Sequence, residues 1–219
     1  MYGNGNPGDP GRLMRYRQQT PIVITLPEAW PNEARALFAL VENGARIIHL
    51  RKPGLSESAV CGILNTIHPE ILYHITIHYH PHLAGYFGLG GVHGSPESIR
   101  GVAGGFRKSA SCHDWAEVKS CTGHADYVFL SPIFDSVSKQ GYKAAFAEEQ
   151  LKILLADPDR PPVAALGGIT PETAGQARTW GFESAAAIGS VWAVRNGRID
   201  VDRTVANYKA LTNAWNGTK

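Results

Sequence analysis

Two late segments place glycine where an apolar strand should hand over to a helix, which is where a protein can hold an anion. Pro162–Thr170, PVAALGGIT, runs into Gly167 and Gly168 before a helix that opens with proline; Ser184–Val191, SAAAIGSV, ends in Gly189 and Ser190. Glycine lets backbone N–H groups approach a ligand, and a helix N-terminus adds a favourable dipole, so both ends are candidates for phosphate. The bland alternative is a tight turn that binds nothing. A third segment, ADYVFLSPIFDSVSKQGY over Ala125–Tyr142, leads from an apolar strand into a loop carrying Ser136, Ser138, Lys139 and Gly141. Hydroxyls beside a lysine suit a mobile loop that closes over a phosphorylated substrate.

Histidines supply the other chemistry. His78, His80 and His82 alternate, and on one extended strand they would share a face within reach of a transition metal. Pro81 should end the strand before His82, and no acidic or cysteine partner is near in sequence, so loop histidines at a barrel mouth, with no metal, are expected. Cys112 stands beside His113, but adjacent strand residues face opposite ways; Cys112 is expected to be a buried structural thiol.

Residues of these kinds must be positioned by a scaffold, and the chain spells one out. Short apolar runs fall at Ile22–Leu26, Arg46–Arg51, Leu72–Ile77, Gly91–His93, Arg107–Ser111, Tyr127–Ser131, Pro162–Leu166 and Ser184–Ile188. Most are continuous rather than alternating, as expected of parallel strands covered on both faces. Helical patterns lie between them at Pro31–Asn43, Ser56–Ile67, His82–Phe87, Pro96–Arg100, Asp114–Cys121, Glu148–Leu155, Pro171–Thr179 and Arg203–Ala214. Eight strand–helix units predict an α/β fold, a single (β/α)8 TIM barrel over residues 21–219, with an open doubly wound sheet as the runner-up. Residues 1–20, polar and Gly/Pro-rich, read as a flexible tail and not as a signal peptide. In such a barrel the chemistry belongs at the C-terminal ends of the strands, with phosphate often held after the seventh and eighth.

Composition narrows the classes. The 219 residues are 43% hydrophobic and 18% charged, enough for a sizeable core. Twenty-one basic against 19 acidic side chains leave no field to gather nucleic acid or an anionic membrane, and no apolar window is long enough to span one. Three cysteines at unrelated spacings point to a reducing, cytoplasmic setting.

Five segments in order carry a family resemblance. ADYVFLSPIFDSVSK resembles the thiamine phosphate synthase segment in which a strand ending in Gly/Ser-Pro-Ile-Phe precedes a Ser/Thr-rich loop and a lysine. The late GGI and the strand ending in GS are similar to that family's thiazole-phosphate cradle. SASCHDWAEVKSC resembles its Ser-x-His-x-x-x-Glu segment and so picks out Ser111, His113 and Glu117; IIHLRKPG resembles its early Gln/His-x-Arg strand and picks out His49 and Arg51. The resemblance implies a (β/α) barrel that binds a thiazole phosphate through His49, Arg51, Ser136, Ser138, Lys139, Gly167, Gly168, Gly189 and Ser190.

The departures from the family pattern bear on the reaction. The synthase couples a pyrimidine diphosphate to a thiazole phosphate with Mg²⁺, using carboxylates from an Asn-Asp-Asp strand end and from an Asp after Gly-Val-His. Here those positions read His78, Tyr79 and His80, and Glu97 or Ser98; Lys52 stands one place earlier than the synthase lysine. Imidazoles are poor ligands for Mg²⁺. The family's second branch, the thiazole tautomerases, lacks the same carboxylates, and the resemblance then assigns His113 as the acid/base, with Ser111 beside it and Glu117 as an orienting partner. A tautomerase-like isomerase without a cofactor is the favoured expectation. A diverged synthase, for which Mg²⁺ would return, and a catalytically silent thiazole- or thiamine-phosphate binder stay open, as does a homodimer.

Overall fold

The apolar runs become eight parallel strands in the computed structural model, which describes residues 20–135 and 146–218. They are β1 (Ile22–Ile24), β2 (Ile48–Leu50), β3 (Ile75–His78), β4 (Gly91–Gly94), β5 (Arg107–Cys112), β6 (Tyr127–Leu130), β7 (Val163–Leu166) and β8 (Ser184–Ala187). Each pairs with the next, and β8 pairs with β1 to close the barrel. The closed barrel prevails over the open sheet.

The helices are α1 (Glu33–Glu42), α2 (Glu57–Leu64), α3 (Leu83–Phe87), α4 (Trp115–Ser120), α5 (Glu148–Leu155), α6 (Pro171–Trp180) and α7 (Val201–Asn216). Side-chain caps set several starts: Ser56 Oγ accepts from the Ala59 N–H, Asp114 from Glu117, and Asp200 from Arg203. The expected helix at Pro96–Arg100 is a single 3-10 turn, Ser98–Gly101. The expected start of β3 is also a 3-10 helix, Pro69–His74, because Pro69 at its first turn supplies the fixed φ of a helical start.

Strand alternation sorts the side chains. Val23, Ile48, Leu50, Ile75, Ile77, Val92, Ala110, Cys112, Val128 and Leu130 point outward into the layer beneath the helices. Ile22, Ile24, Ile47, Tyr127, Phe129, Ala164 and Ala186 pack inside the barrel. The interior is therefore apolar on the β1, β7 and β8 side. On the side of β2 to β5 it is filled by His49, Thr76, His78, His93, Ser109 and Ser111.

Beyond β8, Val194–Arg195 and Arg198–Ile199 form a two-stranded hairpin outside the eight expected strand–helix units. Its turn is Asn196-Gly197, both in the left-handed region (φ 52° and 69°). The Ile199 N–H donates to the Pro31 carbonyl at 3.1 Å, and Asn32 Nδ2 donates to the Ile199 carbonyl at 3.3 Å. Just before it, Trp192 Nε1 donates to the Ile24 carbonyl on β1 at 2.7 Å. Among the described residues no helix is long and apolar enough to cross a membrane.

Candidate active site

Three imidazoles converge inside the barrel. His49, His78 and His93 come from β2, β3 and β4, and strand register sets His93 directly opposite His78. Their rings lie 4.1 Å (His78–His93), 5.0 Å (His49–His78) and 5.0 Å (His49–His93) apart between centroids. His49 Nδ1 is 2.8 Å from His78 Nε2, and His49 Nε2 is 2.5 Å from the Tyr127 hydroxyl. His93 sits between two hydroxyls, Nδ1 2.8 Å from Ser109 Oγ and Nε2 2.9 Å from Ser111 Oγ. Ser109 Oγ in turn donates to the Val92 carbonyl, so it accepts from His93 Nδ1–H, and His93 Nε2 is left with the lone pair.

Electrostatics keep these rings neutral. Burial depresses all three; for His49 the neighbouring His78, His93 and Arg107 add to it, and for His78 the neighbours are His93 and Arg51. Burial, then Arg51, pulls His93 down to about 3. Uncharged imidazoles with free lone pairs can accept protons or bind a metal; they are not cations waiting for a phosphate.

His113 follows the end of β5 and is exposed at the mouth. Its Nδ1 lies 3.3 Å from the Ser131 carbonyl oxygen and 3.5 Å from the Ser131 hydroxyl; with the proton on Nδ1 donated to the carbonyl, Nε2 is the basic nitrogen. The His113 backbone N–H donates to Glu117 Oε2 at 2.7 Å, so this carboxylate holds the residue through its main chain. Ser111 is joined to His93, and Cys112 is buried on the helix side of β5 as expected.

The glycine loops after β7 and β8 lie at the same end of the barrel and touch: Ser190 Oγ donates to the Ile169 carbonyl at 2.7 Å. Their glycines differ. Gly167 and Gly168 adopt φ 96° and 64°, and a Cβ on Gly168 would stand 2.6 Å from the Asp135 carbonyl oxygen and 2.7 Å from Phe134 Cβ. Those two are needed first for the close approach of the loop after β6, whose Ile133 and Phe134 N–H groups bond to Leu166 and Gly167. A Cβ on Gly189 would meet open space. Among the described residues no backbone carbonyl accepts from the N–H groups of Gly168, Gly189 or Ser190. Ser136, Ser138 and Lys139 lie outside the described residues.

The other sequence candidates separate. His78 ends β3; Tyr79 then turns through φ 57°, so His80 and His82 do not share its face. They turn instead to Glu57 of α2, at 3.7 and 3.1 Å, an acidic partner that sequence distance concealed. Lys52 is buried and paired with Glu33. Arg51, on the same face of β2 as His49, does lie close enough to act on His78 and His93.

A magnesium ion of the kind that the resemblance implies needs oxygen ligands. The ligating atoms that the described residues gather within 4.8 Å of one another are all nitrogens, those of His49, His78 and His93. These residues do not fit Mg²⁺.

Comparison with known proteins agrees with this architecture. A model of the family described as thiamine monophosphate synthase matches residues 23–191. The thiamine-phosphate synthase of Anoxybacillus flavithermus is 36% identical over 96 residues, 43% of this chain and 44% of that protein, so the match spans less than half of the relative. Among solved structures, a thiamine phosphate pyrophosphorylase from Bacteroides thetaiotaomicron superposes with a TM-score of 0.76 at 26% identity, over 90% of this chain and 98% of the other. A pyrophosphorylase from Pyrococcus furiosus gives 0.70 at 19% identity, over 91% and 98%, and speaks for the fold alone. With eight strands closing in the same barrel and the family match running from β1 to the loop after β8, this chain belongs to the thiamine monophosphate synthase family.

Proposed function

We propose that the chain binds a thiazole phosphate and acts on it as a tautomerase-like isomerase, moving a proton between positions of the ring. One observation carries this: His78 stands at the end of β3, where the resemblance puts a carboxylate of a pyrophosphate-releasing synthase, and the ligating atoms gathered around it are nitrogens, while the glycine loops after β7 and β8 still offer N–H groups for a phosphate. His113 would take the ring proton on Nε2 and return it at the second position, its orientation held by the Ser131 carbonyl and by Glu117 through the backbone. Gly168, Gly189 and Ser190 would hold the phosphate, and Arg51 would face a substrate anion deeper in the mouth. Ser136, Ser138 and Lys139 would close over the ligand.

The second reading, a diverged synthase that couples a pyrimidine diphosphate to the thiazole phosphate, draws on the names of the relatives. Incubating the protein with the thiazole carboxylate phosphate alone, and separately with both substrate halves and Mg²⁺, decides between them. For tautomerisation, His113→Gln should cost about 10²–10⁴ in rate with substrate binding nearly intact. Coupling depends on charge stabilisation of pyrophosphate and should suffer far less from that change. Binding of thiazole phosphate with neither rate detectable would leave a silent binder.

A further inference from the structure

We propose that His49, His78 and His93 form a binding site for one zinc-class divalent ion inside the barrel, with the fourth coordination position open toward the mouth. This site differs from a magnesium site in its donors, which are nitrogens on three adjacent strands. Three imidazoles with one open position form a recurrent ligand set of catalytic zinc.

The geometry is close to what such an ion requires. Tetrahedral coordination with Zn–N near 2.0–2.1 Å sets ligand nitrogens about 3.3 Å apart. The ligating atoms already lie within 4.8 Å of one another, and His49 Nδ1 and His78 Nε2 are 2.8 Å apart. Opening that pair by about 0.5 Å is a small ring rotation that admits an ion where a hydrogen bond now stands. The surroundings also pre-select the ligand atoms. Ser109 takes the His93 Nδ1 proton and leaves Nε2 free, covered only by the rotatable Ser111 hydroxyl. The Tyr127 hydroxyl stands ready to accept from His49 Nε2, the tautomer in which Nδ1 ligates. Outer partners of this kind fix ring orientation in metal sites.

Charge decides the fourth ligand. Arg51 on the mouth side and Arg107 at the start of β5 both act on the cluster, so a dication there would be held most favourably with an anionic oxygen. Hydroxide or a substrate carboxylate supplies one. The site itself does not depend on the proposed reaction, and its test does not read activity.

The full chain, stripped with a chelator, should take up one equivalent of Co²⁺ with the intense visible absorption of a tetrahedral ion, and Zn²⁺ should displace it one for one. His78→Asn and His49→Gln, which keep polar groups of similar reach, should abolish saturable binding. Tyr127→Phe should weaken it about 10–100-fold by freeing the His49 ring. His80→Ala and His82→Ala should leave it unchanged. Cooperative thermal unfolding of each variant controls for folding, and Zn²⁺ should raise the Tm of the unmutated chain but not of His78→Asn or His49→Gln. Absence of the Co²⁺ band from the unmutated chain overturns the proposal, as does a band that survives both ligand variants or that disappears with His80→Ala.

Discussion

Lys52 Nζ lies 2.5 Å from Glu33 Oε1 with both side chains buried, and the same ammonium donates to the carbonyls of Leu26 (2.9 Å) and Glu28 (2.7 Å). The lysine next to Arg51 thus ties the end of β2 to the first turn of α1 instead of serving a phosphate. Burial pushes the Glu33 carboxyl up and the Lys52 ammonium down, and their attraction opposes both shifts. Lys52→Met or Glu33→Leu should each cost about 3–5 kcal/mol, since each strands a buried charge. The double variant should lose much less than the sum of the two. A double-mutant cycle in denaturant reads this coupling directly, and additive losses would show that the pair is not coupled.

Stability of the chelator-treated chain should fall as the solution is acidified below about pH 6.5. His49, His78 and His93 have folded pKa values below the unfolded one, so the unfolded chain binds protons that the folded chain refuses. Their contribution is complete above the unfolded value and is lost as the pH drops, for His93 down to about 3. Each ring adds about 1.4 kcal/mol per pH unit in that window. Denaturation between about pH 5 and 6 should therefore be less steep in pH for His93→Gln by about that amount. An unchanged slope would mean that the ring titrates equally in both states.

The two glycine loops should answer differently to one added methyl. Gly168→Ala puts a Cβ against Asp135 and Phe134 at a positive φ and should destabilise by about 1–3 kcal/mol. Gly189→Ala meets open space and should change stability by no more than about 0.5 kcal/mol. Thermal unfolding of the pair checks this, and equal losses would contradict the asymmetry.

Magnesium titrated into the chelator-treated chain without substrate should give no saturable heat, because imidazole nitrogens stand where oxygens are needed. A tight one-to-one isotherm abolished by His78→Asn would favour the synthase.

The barrel itself was legible because period and length suffice for it: all eight expected strands occur, each shifted by no more than a few residues. The losses have local causes. Leu72–His74 is apolar enough for a strand, but Pro69 winds it into a 3-10 turn. The Asn196-Gly197 hairpin carries a strong turn signal, but its strands of two residues each are too short to show a period. Placement was legible where it depends on a residue's own strand: His113 follows β5 in an exposed position and Cys112 is buried beneath the helices. It was hidden where it depends on register between strands. His78, His80 and His82 are neighbours in sequence yet face different ways, whereas His49, His78 and His93 are up to 44 positions apart and meet because each ends an inward-facing row. Shear, which sets that meeting, is not written in any one segment.

The bond from Trp192 to Ile24 and the hairpin's two bonds to Pro31 and Asn32 join residues 167 and 168 positions apart across the seam between β8 and β1. A growing chain lays down all eight strands before Trp192 and Ile199 exist to make these bonds. Until the last strand emerges, the edges of β1 and of the newest strand remain open pairing templates, and the histidine-bearing half of the lumen stays accessible to water from the side. The closing bonds thus act at the end of synthesis, and the burial that keeps the three imidazoles uncharged is completed last.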